Sequence, residues 1–126
     1  RNISQIYNKH LKASGEKINA NQVSILVTIS QVDDGSINKI STLLKMERTT
    51  LTRNLNVLKK VGWVKSNTGS DGRFTYINLT AKGNKVLSKV FPHWSKAQEQ
   101  VKKILGGELD SLRFQKTLKN INTNPI

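Results

Sequence analysis

Residues 47–62 read ERTTLTRNLNVLKKVG, and the fold turns on this stretch. Its apolar residues Leu51, Leu55, Leu58 and Val61 recur at i, i+4, i+7 and i+10, which gathers them on one side of a helix with 3.6 residues per turn. Thr49, Arg53, Asn56 and Lys60 fall on the opposite side, and none of them is acidic. One face suits a core and the other suits a partner. The first turn, Arg48, Thr49 and Thr50, with Thr52 and Arg53 just behind it, carries hydroxyls and guanidinium groups, which reach both base edges and phosphates in a DNA major groove. An ordinary amphipathic surface helix shows the same periodicity, so the neighbouring segments decide between the two.

Upstream, Ser36 is a good N-cap for a helix SINKISTLLKM whose Ile37, Ile40, Leu43 and Leu44 share a face. Only a few residues around Met46 and Glu47 separate it from the helix that carries Leu51, Leu55 and Leu58. Two short helices joined so tightly, the second with a polar first turn, predict a helix-turn-helix, although the glycine common in that turn is missing. Downstream, Gly62 fits the C′ position, and the period then changes from 3.6 to 2. Trp63 to Ser66 lead into the turn formers Asn67 to Gly72, and Phe74 to Leu79 returns as FTYINL, with Ile77 and Leu79 alternating against Tyr76 and Asn78. A hairpin directly after a helix-turn-helix is a wing, and Arg73 on its returning arm is placed to enter a neighbouring minor groove.

The flanks read as helical scaffold. Ile3, Ile6, Tyr7 and Leu11 predict an amphipathic helix over residues 1–14, ended by Gly15 and able to pack on this chain or on a second copy. The chain opens at Arg1 without Met in what reads as mid-helix, so further residues are expected ahead of it. Asn19 or Asn21 caps the next helix, where Val23, Leu26 and Val27, with Ser30 at the edge of the stripe, are expected to face inward until Asp33, Asp34 and Gly35 break the pattern. Thr80 caps a long helix that turns Val86, Leu87, Val90 and Phe91 inward, is kinked by Pro92, continues through Trp94, Ala97, Val101, Ile104 and Leu105, and stops at Gly106 and Gly107. A last helix is expected from Glu108 to about Ile121, followed by a loose tail.

Charge narrows the partner. The 126 residues hold 21 Lys and Arg against 8 Asp and Glu, a formal net charge of +13. Residues 36–90 hold 11 of the basic residues and only two acidic ones, Glu47 and Asp71, so +9 of the total sits on the helix-turn-helix and wing. Such a field points to nucleic acid ahead of an anionic membrane surface. A protein-interaction module on the same fold, the rival class, has no need of it. Membrane association would use bulky apolar residues that the core already claims.

With no cysteine there is no disulfide framework and no thiolate metal site, and the compartment expected is the cytoplasm. No apolar run approaches the ~18 residues of a membrane span. No catalytic motif and no cofactor are implied: His10 and His93 lie far apart, and two histidines without a third ligand make no zinc site. Tyr7 and Trp94, at helical spacing, are either plain core or the walls of a pocket for a small molecule, with His10 nearby.

Taken together, ANQVSIL at 20–26, INKISTLLKMERTTLTRNLNVLKKVGWV at 37–64, DGR at 71–73, INLTAKG at 77–83 and PHWSKAQEQVKKILG at 92–106 resemble the MarR family of bacterial transcriptional regulators over nearly the whole chain. The resemblance implies one mainly α domain with a small β-hairpin wing, its winged helix-turn-helix at 20–87 inserted in a helical dimerisation scaffold at 1–14 and 88–126. It further implies a homodimer on a palindromic double-stranded DNA operator, acting as a repressor, and released by a small, often aromatic effector bound around Tyr7, His10 and Trp94. Carried over by position, Arg48, Thr49, Thr50, Thr52 and Arg53 match the recognition-helix motif, and Asn56 and Lys60 extend its polar line. Asp71 and Arg73 match the wing motif, in which the Asp holds the wing and the Arg contacts the minor groove. Asn67 to Ser70, neutral where relatives are often arginine-rich, departs from the pattern and implies a weaker wing contribution.

Overall fold

The computed structural model describes residues 3–33, 35–69, 72 and 74–109, with side chains through Gly106. The elements follow as α1 (Ile3–Lys12), α2 (Ala20–Gln31), α3 (Ile37–Leu44), α4 (Arg48–Lys60), β1 (Val64–Thr68), β2 (Thr75–Leu79) and α5 (Ala81–Leu109).

Helix ends are set by side-chain chemistry readable in the sequence. Asn19 caps α2 in a reciprocal box: its Oδ1 accepts from the Gln22 amide at 2.9 Å, while Gln22 Oε1 accepts from the Asn19 amide at 3.1 Å. Ser36 Oγ caps α3 by accepting from the Lys39 amide at 3.2 Å. Thr80 Oγ1 caps α5 by accepting from Gly83 N–H at 3.0 Å and donates to the Gly62 carbonyl at 2.6 Å, so one hydroxyl fastens the wing's exit to the end of α4.

The core is built around α2, which is buried almost all round. Val23, Ile25, Leu26, Val27, Thr28 and Ile29 are all buried, whereas Ser30, expected at the inner edge, is exposed and bonds the Val27 carbonyl. Leu51, Leu55 and Leu58 of α4, Ile40 of α3, Ile77 of β2, and Val86, Val90 and Trp94 of α5 close around it. Val61 departs from expectation and is 39% exposed. The reason is the turn that ends α4: Gly62, at φ 84°, lets Trp63 N–H reach the Leu58 carbonyl and Gly62 N–H the Lys59 carbonyl. The reversed chain buries Trp63 and Val64 at the end of the core in place of Val61.

The helix-turn-helix turn shows how the chain manages without glycine. Lys45 itself takes the left-handed conformation, φ 52° and ψ 40°. Met46 N–H bonds the Ser41 carbonyl, Lys45 N–H the Thr42 carbonyl, and Ser41 Oγ donates to the Met46 carbonyl at 2.7 Å. The wing is an antiparallel pair in register from Val64 opposite Leu79 to Thr68 opposite Thr75. A third edge was not foreseen: Ser36 bridges Tyr76, and Ile77 N–H donates to the Gly35 carbonyl at 2.8 Å. The segment entering α3 is thereby stitched to the wing.

The scaffold differs from expectation in two places. Helix α5 does not stop at Gly106 and Gly107 but runs on to Leu109, because glycine lowers helix propensity by about 1 kcal/mol without forbidding helical dihedrals. The helix expected from Glu108 to Ile121 otherwise lies outside the described residues. Phe91, expected inward, is 38% exposed and flanks the buried line of Val86, Val90, Trp94, Ala97 and Val101. Helix α1 packs along α5 through Ile6 and Leu11, leaving Ile3 42% exposed.

Candidate nucleic-acid interface

Helix α4 is held from behind by Leu51, Leu55 and Leu58, each no more than 1% exposed, so the side chains on its other face project from a fixed support. Its first turn has no acidic residue, and Glu47 at the N-cap makes no side-chain capping bond. The first-turn amides, which no Glu47 side chain caps, and the positive end of the helix dipole therefore add to the positive potential around Arg48. Arg48, Thr49, Thr52, Arg53 and Asn56 line a shallow concavity of about 450 Å³. Five of the seven helix residues singled out in the sequence are thus brought together.

The other two stand apart from it. Thr50 is half-buried on the helix flank, where its carbonyl accepts from Asn54 Nδ2 at 2.9 Å. Lys60 is exposed at the helix's far end with Lys59. Asp71 and Arg73 of the wing lie outside the described residues. Beside them the structure adds a residue that sequence reasoning passed over: Phe74, 44% exposed, with its ring 6.5 Å from that of Tyr76 and its carbonyl accepting from Gly69 N–H at 2.8 Å. The period of two held the clue, since Phe74 shares parity with Tyr76 and opposes the buried Ile77.

Of the residues considered for an effector pocket, Tyr7 and His10 lie on α1 and Trp94 on α5, two helices that pack together. Trp94 is 2% exposed and belongs to the core, the plainer of its two readings. Tyr7 is half-buried; burial pushes its hydroxyl pKa up, and a hydrogen bond with Gln98 works against that shift. His10 Nε2 lies 2.8 Å from Gln100 Oε1. A concavity of about 460 Å³ does lie on α5, lined by Phe91, Pro92, Ser95, Lys96, Glu99, Gln100 and Lys103, so the three named residues border it at most through Gln100.

Two helices joined by a tight turn, the second exposed and basic, followed by a two-stranded hairpin, define a winged helix-turn-helix protein. The family model described as Transcriptional regulator SarA/Rot matches residues 5–90, from α1 into α5. The chain belongs to this family of MarR-type winged-helix regulators.

The transcriptional repressor MprA of Escherichia coli K12 is 35% identical over 88 residues, covering 68% of this chain and 49% of that protein. The chain thus spans about half the length of the curated relatives it matches. Among solved structures, the transcriptional regulator MosR of M. tuberculosis, in complex with DNA, superposes with a TM-score of 0.76 at 34% identity, covering 94% of this chain and 84% of that one. MarR of E. coli, in its apo form, shares the fold with a TM-score of 0.70 at 21% identity over 94% of this chain and 84% of that one.

Proposed function

We propose that this chain is a cytoplasmic, sequence-specific regulator that binds double-stranded DNA as a homodimer and represses transcription. Helix α4 enters the major groove while the hairpin, through Arg73 and its neighbours, reaches the adjacent minor groove. The observation that carries the reading is the acid-free concavity of Arg48, Thr49, Thr52, Arg53 and Asn56 on a helix anchored by three buried leucines. That MosR was solved on DNA with this same fold supports it. The exposed apolar Ile3 and Phe91 on the scaffold helices support pairing of two copies there. The concavity on α5, apolar at Phe91 and Pro92 and edged by Lys96, Glu99 and Lys103, suits a small aromatic molecule whose binding would loosen the dimer's grip on DNA.

A gel shift with DNA from upstream of its own gene, beside an unrelated duplex, tests the reading. Retardation of the first at lower protein concentration is expected. Light scattering at micromolar concentration should give twice the chain mass of 14.1 kDa. Binding to no duplex in a selection from random sequences would move the chain to the class of docking modules.

A further inference from the structure

Among the five residues lining the concavity on α4, Asn56 is chemically set apart. Guanidinium forks and hydroxyls serve phosphate oxygens and base edges alike. A carboxamide instead carries a donor and an acceptor side by side in one plane. In the major groove that pair matches the N7 and N6 amino group of adenine with two hydrogen bonds. Against a phosphate its amide oxygen would face like partial charge, and half of the group would go unused.

Two asparagines stand two residues apart on this helix, and the structure treats them differently. Asn54 is half-buried and spends its Nδ2 on the Thr50 carbonyl at 2.9 Å, a bond that ties the side chain to its own backbone. Asn56 is exposed, its side chain makes no hydrogen bond to another described residue, and it lines the concavity with Thr52, one turn before it, and Arg53. Its sequence neighbour Leu55 is 1% exposed and Leu58 is fully buried, so the turn that carries Asn56 cannot roll. A neutral side chain kept free on a basic face adds nothing to the field. We propose that Asn56 is a specificity-determining residue that reads one adenine in each half-site, donating from Nδ2 to N7 and accepting at Oδ1 from the N6 amino group.

This inference rests on the DNA-binding reading above, and its test separates the two. Wild-type protein and Asn56→Ala are each used to select duplexes from a random-sequence pool. The selected consensus is then titrated by fluorescence anisotropy, with adenine or 7-deazaadenine, which lacks N7, at each A·T position in turn. The variant is expected to lose base preference at one A·T pair per half-site and keep the rest. Its affinity for the wild-type consensus should fall about 5- to 150-fold, the range of one bidentate base contact, with no change on an unrelated duplex. One deaza substitution should weaken the wild type and leave the variant unmoved. Matching thermal melts for the two proteins would keep a folding defect from counting as support. An unchanged consensus, or an equal loss of affinity on every duplex, would overturn the assignment alone. Should the wild type enrich no sequence at all, the DNA-binding reading falls and takes this one with it.

Discussion

Single residues carry costs that the chain's patterning hides. Lys45 holds a left-handed conformation that costs an L-residue roughly 1–2 kcal/mol, since its Cβ crowds the following carbonyl. Glycine removes that clash but loses about 0.5–1 kcal/mol in chain entropy on folding. Lys45→Gly should therefore stabilise the protein by up to about 1.5 kcal/mol, seen as a higher denaturant midpoint with unchanged slope. Gly83 makes the opposite case. A Cβ built there would lie 2.0 Å from the Trp63 carbonyl oxygen, which is backbone and cannot swing aside. Gly83→Ala should destabilise by about 3 kcal/mol, at the upper end of overpacking effects, and the same titration reads it. Neither effect was legible in the sequence. A missing turn glycine was visible there, but that lysine would supply the dihedral was not, because the compensating Ser41 to Met46 bond depends on the folded turn.

Elements were legible where local signals agreed with packing. Helix α4 could be read because its leucine period, its polar line and Gly62 all pointed one way. The winged hairpin announced itself by the change of period. What failed was what depends on a partner distant in sequence: the bridge from Ser36 to Tyr76, and the exchange of Val61 for Trp63 at the end of the core. The glycines at 106 and 107 misled for a related reason, as packing along the preceding turns overrides a weak local preference. On the recognition helix the division between supporting and projecting faces makes a clean prediction. Arg53→Ala should leave stability within about ±0.5 kcal/mol, because the residue is exposed, while weakening operator binding in anisotropy titrations. Operator affinity equal to wild type would remove Arg53 from the interface.

At the scale of the molecule, charge and symmetry govern. A net charge of +13 in 126 residues predicts binding dominated by counterion release. If a dimer neutralises about 6 to 10 phosphates, affinity should fall roughly 10³- to 10⁵-fold between 50 and 200 mM salt, and a flat response would contradict the electrostatic reading. A two-fold dimer sets its two α4 helices on one side of the duplex, so half-sites should lie about one helical turn apart, near 10 base pairs. Inserting about 5 base pairs between them should abolish tight binding in a gel shift. The scaffold was only partly legible, since the expected helix from Glu108 to Ile121 falls outside the described residues. Helix α5, however, begins at the wing through Thr80 and runs unbroken for 29 residues into the scaffold. At about 1.5 Å per residue it is roughly 43 Å long, with Pro92, the site of the expected kink, inside it. Pivoted at its scaffold end by about 5°, such a lever swings its wing end by roughly 4 Å, a little more than the 3.4 Å between successive base pairs. In the proposed complex, a small change of angle at the far end of α5 would thus be enough to shift the wing by about one step of DNA.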